Sequence, residues 1–277
     1  MTRGRAIKIV IAVVLAGGGV LVVADPARDT TRVQPVAAVA LTTTPFSSTT
    51  TLPIATTTTT PLPKPASVVA VGDSGLFDAS PALEAALKAN GIRFASTAFP
   101  FEGLTQPDFV RDIWARAMHD FHPDLIVVEA GAWDERFVQQ NGWRAYEVVV
   151  DETVRFLAAD GAHLLWLSEL PGKAPLGDMT AESFAQGSLY ERLPLQFPGV
   201  VDYVDVRPSF IDASGGVPRM IDGRLLRKPD GWHLCPDGAA TVAHAVLSRL
   251  GLDSTGWEQG SWRRDARYDA PHLGCAI

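Results

Sequence analysis

The segment Val68-Val69-Ala70-Val71-Gly72-Asp73-Ser74-Gly75 decides how the rest of the chain is read. Its short β-branched run predicts a strand buried on both faces. The run stops at a glycine, an aspartate, a serine and a second glycine. Glycine permits a tight turn and close approach of neighbouring backbone. Together these residues lift one hydroxyl, that of Ser74, onto the rim of a sheet. A serine there becomes a nucleophile only when a base can reach it.

The candidate base lies far downstream, in Asp230-Gly231-Trp232-His233-Leu234-Cys235-Pro236-Asp237-Gly238. Gly-Asp-Ser alone carries little weight; paired with an Asp-x-x-His block at domain-scale separation it carries much more. The two segments resemble the first and last sequence blocks of the SGNH/GDSL hydrolase superfamily. Residues 233–238 and the Trp/Arg/Tyr/Cys-containing tail 257–275 are similar to secreted actinobacterial-type domains, including those fused to acyltransferase-3 membrane proteins. The resemblance spans roughly Ser67 to Cys275 and rests on motifs and element order.

The resemblance implies a serine-hydrolase site with Ser74 as nucleophile, His233 as general base and acid, and Asp230 holding the imidazole in one tautomer. It also implies an oxyanion hole. Ser74 would give one amide, and Gly103 matches the glycine that follows the second strand. The third donor in the family is an Asn in a Gly-x-Asn-Asp block. Here Gly131-Ala132-Trp133-Asp134 puts Trp133 in that place. A lost donor of this kind costs on the order of 3 kcal/mol in a hydrolase. Trp133, Asp134 and Trp232 are candidates for the substrate pocket, with the aromatic rings available to stack on a sugar, although a core or rim place is the commoner one for a tryptophan. Asp134 could instead bond the same loop as Asp73, whose expected role is to bind amides beside Ser74. No cofactor is expected, and no Cys/His spacing resembles a metal site.

Upstream of this domain, Arg3, Arg5 and Lys8 precede the apolar or glycine run Ile9–Ala24. A positive start followed by such a run reads as an export signal. Its length fits a cleaved signal peptide and an uncleaved anchor over residues 7–24 alike. Residues 25–66 follow as a Thr/Pro-rich spacer, with threonine clusters at 42–44, 49–51 and 56–60. Such a segment buries too little apolar area to offset chain entropy. The positive-inside rule places the rest of the chain outside the cytoplasm, secreted or attached to the membrane.

The 277-residue chain has a net charge of −7, which disfavours nucleic acid as a partner. Its two cysteines, Cys235 and Cys275, suggest one disulfide in an exported protein, tying the tail beside the His233 loop. Two unpaired buried thiols are the alternative.

From residue 67 to 277, strand-like and helix-like windows alternate. Strands are expected at Val68–Val71, Phe94–Ala98, Leu125–Glu129, Leu164–Leu167 and Val201–Val206. Helices are expected at Pro81–Asn90 with Ser80 as N-cap, at Pro107–His119, Trp143–Ala159 and Pro236–Leu250, and near Ala181–Leu193. This order predicts an α/β fold, a three-layer α/β/α sandwich with a central parallel sheet. The function expected is an extracytoplasmic serine esterase or O-acyltransferase acting on an acylated carbohydrate or another cell-envelope ester. A non-catalytic glycan-binding module of the same fold is the alternative, supported by Trp133. A nucleotide binder fits poorly, because residues 72–75 lack a phosphate-cradling glycine pattern and a Walker lysine.

Overall fold

The computed structural model describes residues 61–101, 103–106, 108–174, 177–178, 188–269 and 274–275. Five parallel strands form the central sheet in the order β2-β1-β3-β4-β5. They are β1 (Ser67–Gly72), β2 (Arg93–Ser96), β3 (Leu125–Glu129), β4 (His163–Leu167) and β5 (Val201–Val204). The four longer helices besides the short α3 (Glu135–Asn141) are α1 (Ser74–Ala89), α2 (Asp108–Phe121), α4 (Trp143–Leu157) and α5 (Pro236–Leu250).

Alternation along the strands separates the two cores. Val68, Ala70, Val127, Leu165 and Leu167 pack with Leu76, Leu83, Val246 and Leu247 of α1 and α5. Val69, Val71, Ile126, Val128, Leu164 and Trp166 face the other way, toward Val110, Trp114, Tyr146, Val150 and Val154 of α2 and α4. Both faces of the sheet are therefore covered, as parallel strands require. The strand order reverses between β1 and β3, where open α/β sheets form their ligand crevices. Ser74 stands at that point. The end of β1 lies so close to β3 that a Cβ on Gly72 would fall 1.8 Å from the Glu129 carbonyl oxygen.

The expected strands and the Pro236–Leu250 helix are present, with strand ends shifted by one or two residues. The helix expected near Ala181–Leu193 falls mostly outside the described residues. The first helix differs in an informative way. It begins at Ser74, not Pro81, and its N-cap is Asp73, whose side chain accepts the Gly75 amide. Ser80, expected as the cap, lies inside the helix and donates its hydroxyl to the Leu76 carbonyl at 2.7 Å. An internal proline normally strands the carbonyl four residues earlier. For Pro81 that carbonyl belongs to Phe77, and Arg267 from the C-terminal tail donates to it at 2.9 Å. The next carbonyl, of Asp78, accepts the Tyr268 hydroxyl at 2.8 Å. A tail distant in sequence thus makes the long helix possible, which is why local rules place its start too late.

Cys235 and Cys275 form a disulfide with a Cα–Cα distance of 5.5 Å and a sequence separation of 40. It fastens this tail to the start of α5. Closing a loop of that size removes about 4 kcal/mol of chain entropy from the unfolded state. The Cys235→Ser/Cys275→Ser double variant is expected to lose stability of about that size in urea melts, with reduction of the native protein giving a comparable loss.

Candidate active site

Ser74 opens α1 and is 2% exposed. The turn that presents it is held from three directions. Asp73 Oδ1 accepts the Gly75 amide at 2.9 Å, and Glu129 Oε2 accepts the Leu76 amide at 3.0 Å. The Asp73 amide donates to the Glu129 carbonyl at 3.0 Å. The expected role of Asp73 is thereby seen directly.

His233 and Asp230 form a compact pair. The ring Nδ1 lies 2.6 Å from Asp230 Oδ2. Asp230 Oδ1 accepts the backbone amides of Trp232 at 2.9 Å and His233 at 3.0 Å. Gly231, at φ 74°, supplies the left-handed turn that folds the carboxylate back beneath the ring. Burial pulls the Asp230 pKa upward, but the bonds from the His233 ring and the two amides outweigh it and hold the pKa at about 2. The carboxylate is therefore ionised through the neutral range. A proton on Nδ1 facing it leaves Nε2 with its lone pair available.

Asp78 joins the helix that Ser74 opens to the histidine loop. It lies one helical turn after Ser74, on the same face of α1. Its Oδ2 accepts the amide of Leu234, the residue after His233, at 2.9 Å. Its Oδ1 accepts Lys228 Nζ at 3.0 Å, and the same ammonium donates to the Arg267 carbonyl at 2.8 Å. Lys228 in turn donates its amide to the His233 carbonyl at 2.8 Å. Both side chains of this pair are almost fully buried. Burial pushes the Asp78 pKa up, against the pull of Lys228. Behind the loop, buried Arg227 donates Nη1 to the Trp232 carbonyl at 2.6 Å, donates Nη2 to the Pro171 carbonyl, and stacks over Phe210.

Gly103 is buried at the far side of the crevice. A Cβ there would lie 2.5 Å from Asp134 Oδ1. Asp134 is the brace of this loop. It accepts the amides of Leu104 and Thr105, each at 2.9 Å, and the hydroxyls of Thr105 at 2.6 Å and Tyr146 at 2.9 Å. Tyr146 continues the chain to Tyr190 at 2.7 Å, and Tyr190 to the Ala130 carbonyl at 2.9 Å. Asp134 is therefore no pocket wall: it is fully buried and committed to the loop. Trp232 takes the core place and does not line a pocket. Its ring is buried against Gly172, where a Cβ would lie 2.1 Å from Trp232 Cε3.

Trp133 does face outward. It is 40% exposed and its ring centre lies 5.0 Å from that of Phe101, itself 66% exposed. Phe101 holds φ 74°, a conformation uncommon for a bulky side chain, and Phe99 is exposed as well. The aromatic rim thus comprises Phe99, Phe101 and Trp133, of which the motifs single out Trp133 alone. Asp78, Lys228, Arg227 and Glu129 were also missed. Glu129 did leave a signal, an acid ending an otherwise apolar strand. Among the described residues no group of His, Cys, Asp and Glu is arranged to hold a metal ion.

A family model described as "Protein of unknown function (DUF459)" matches residues 67–249. Among solved structures, one assigned as an acylhydrolase of Bacteroides fragilis superposes with a TM-score of 0.51 at 16% identity, over 67% of this chain and 86% of that chain. One assigned as an SGNH hydrolase of Slackia heliotrinireducens gives 0.51 at 14% identity, over 67% and 98%. The lipase/acylhydrolase of Enterococcus faecalis gives 0.50 at 11% identity, over 69% and 98%. A search of curated proteins finds no match. At these identities the likeness is one of fold, and the fold is that of the SGNH/GDSL hydrolases.

Truncating one member of a buried ion pair strands the other, at about 3–5 kcal/mol. Asp78→Ala is expected to destabilise the domain by that amount in urea melts. Asp78→Leu/Lys228→Met should recover part of the loss, because it removes both charges together but leaves the Leu234 amide and the Arg267 carbonyl without these partners.

Proposed function

The chain belongs to the DUF459 family and carries the SGNH/GDSL fold, and from that premise we propose that it is an extracytoplasmic serine esterase or O-acyltransferase. The observation that carries this reading is the Asp230–His233 pair held one residue from the Asp78 clasp, one turn from Ser74. Ser74 Oγ attacks the carbonyl carbon of an ester as His233 Nε2 takes its proton. The negative charge that develops on the carbonyl oxygen is met by the amides of Ser74 and Gly103. The carbon–oxygen bond to the leaving alcohol then breaks, and His233 returns the proton to that alcohol. Water or a sugar hydroxyl attacks the acyl-serine, with His233 again accepting and then returning a proton. Asp230 steadies the imidazolium in both halves.

Trp133, in the position of the family's third donor, belongs in this reading to the substrate wall. Its exposed ring, beside Phe101, supports an acylated carbohydrate or another cell-envelope ester as substrate. Export is supported by the positively charged start, the apolar run after it, the Thr/Pro spacer and the disulfide. No helix among the described residues is long and apolar enough to cross a membrane; residues 7–24, the proposed signal or anchor, lie outside them.

Hydrolysis of p-nitrophenyl acetate tests the reading. Ser74→Ala and His233→Ala are expected to abolish turnover above background, and Asp230→Asn to reduce kcat by roughly 10³–10⁴-fold. Wild-type turnover that survives Ser74→Ala rejects the serine mechanism. Glycan binding that persists in all three variants, with no ester turnover by wild type, replaces the enzyme with a binding module. Adding a sugar acceptor and following acetyl transfer by mass separates transferase from hydrolase.

A further inference from the structure

Glu129 is an acid in a position that the sheet reserves for apolar side chains. It closes β3 in the alternating set that faces α1, and it is 2% exposed. Burying a carboxyl there is costly unless its oxygens are occupied. One of them holds the Leu76 amide. The other side of the group meets Asp73, which is fully buried. Asp73 Oδ1 holds the Gly75 amide, its Oδ2 is closed to water, and the Ala132 backbone amide is the other N–H that acts on this carboxyl. The two carboxyl groups hold adjacent amides of one turn, so they sit side by side away from water. Two carboxyl groups side by side away from water oppose each other's ionisation, which favours one proton shared between them.

The surroundings favour keeping that proton. Glu169, following β4, and Asp134, before α3, add negative charge, while the charge of Arg227, which also acts on Glu129, opposes them. Burial raises the Asp73 pKa to about 6, the Gly75 amide opposing. Burial, then the charge of Asp73, raises that of Glu129 well above its ordinary value.

We infer that Glu129 is a positioning residue for Ser74: its protonated carboxyl bridges to Asp73, and the pair together grips the two amides that follow the nucleophile. This rests on the serine-hydrolase reading. The grip fixes the first turn of α1, and with it the Ser74 hydroxyl and amide. Loss of the shared proton puts a second negative charge beside the place where the oxyanion forms and drives the two carboxylates apart. The prediction is a catalytic site that weakens on the alkaline side for a reason other than the histidine.

Glu129→Gln tests this, because its amide group donates to Asp73 at every pH and its carbonyl still accepts from Leu76. In aryl-ester hydrolysis wild type is expected to lose kcat as pH rises through the loss of the shared proton, with KM little changed. Glu129→Gln should hold its neutral-pH kcat across the same range. Glu129→Ala should lose about tenfold or more in kcat at all pH values, tenfold being a barrier change of about 1.4 kcal/mol. Stability follows the same sign. A carboxyl whose pKa is raised by folding stabilises fully below its unfolded value, and that contribution is lost as pH rises through the folded value. Wild-type Tm should therefore fall relative to Glu129→Gln as pH rises.

Hydrogen exchange at Gly75 and Leu76, corrected for intrinsic rates, reads the pair without catalysis. It should accelerate at alkaline pH in wild type and stay slow in Glu129→Gln. The same alkaline loss of kcat in both proteins overturns the inference, as does exchange at the two amides that is alike in both. Failure of wild type to hydrolyse any ester, with the exchange difference present, counts against the serine-hydrolase reading and leaves the pair's hold on the turn standing.

Discussion

One carboxylate joins the two ends of the domain. Asp78 accepts the Leu234 amide across a sequence separation of 156 residues and pairs with Lys228 across 150. It does so from the helix that Ser74 opens, beside the loop that carries His233. A hydroxyl from the first strand and an imidazole from the last loop have no local reason to meet. The docking of the histidine loop on the first helix depends on this buried contact and on those that reinforce it. Lys228 reaches the Arg267 carbonyl, and Arg267 and Tyr268 reach the Phe77 and Asp78 carbonyls. The Cys235–Cys275 disulfide then ties the same tail to the start of α5. Tail, helix and loop form one assembly whose centre is Asp78.

The sheet was legible because each strand is a short apolar run bounded by polar or turn residues. Ser74 stands out because it sits where such a run ends, and Asp230 and His233 because their spacing and their place before the last helix resemble a family pattern. The Asp230–His233 contact needs only a turn of three residues, so local sequence nearly specifies it. The first helix was harder. Its first turn contains Gly75 and its middle contains Pro81, and local propensity therefore moves the start downstream. The interactions that override propensity come from Arg267 and Tyr268, nearly the whole domain away. Asp78 and Lys228 were illegible for the same reason, since nothing local distinguishes them from ordinary solvated charges.

Asp134 and Trp232 each allow a pocket reading and a structural one, because proximity in a motif does not say which way a side chain turns. Asp134 turns inward and spends both oxygens on the Gly103 loop and Tyr146. Trp232 turns against Gly172. Trp133, between the same strands, turns outward onto Phe101. Buried acids line this edge of the sheet: Asp73, Asp78, Glu129, Asp134 and Glu169. Burying so many carboxyl groups opposes folding unless each finds a donor, a cation or a proton. Most of the donors found here are backbone amides of the turns that shape the crevice. Stability given up in the core is thus spent on holding loops in place around Ser74.

The central claim is that Ser74 lies within reach of a histidine able to take its proton. Treatment with a fluorophosphonate, followed by peptide mass spectrometry, tests it most directly, since such reagents modify serines activated by a neighbouring base. A single adduct on the peptide containing Ser74, lost when His233 is replaced by alanine, is the predicted result. An unmodified Ser74 in the folded protein, or an adduct formed equally well without His233, contradicts the account.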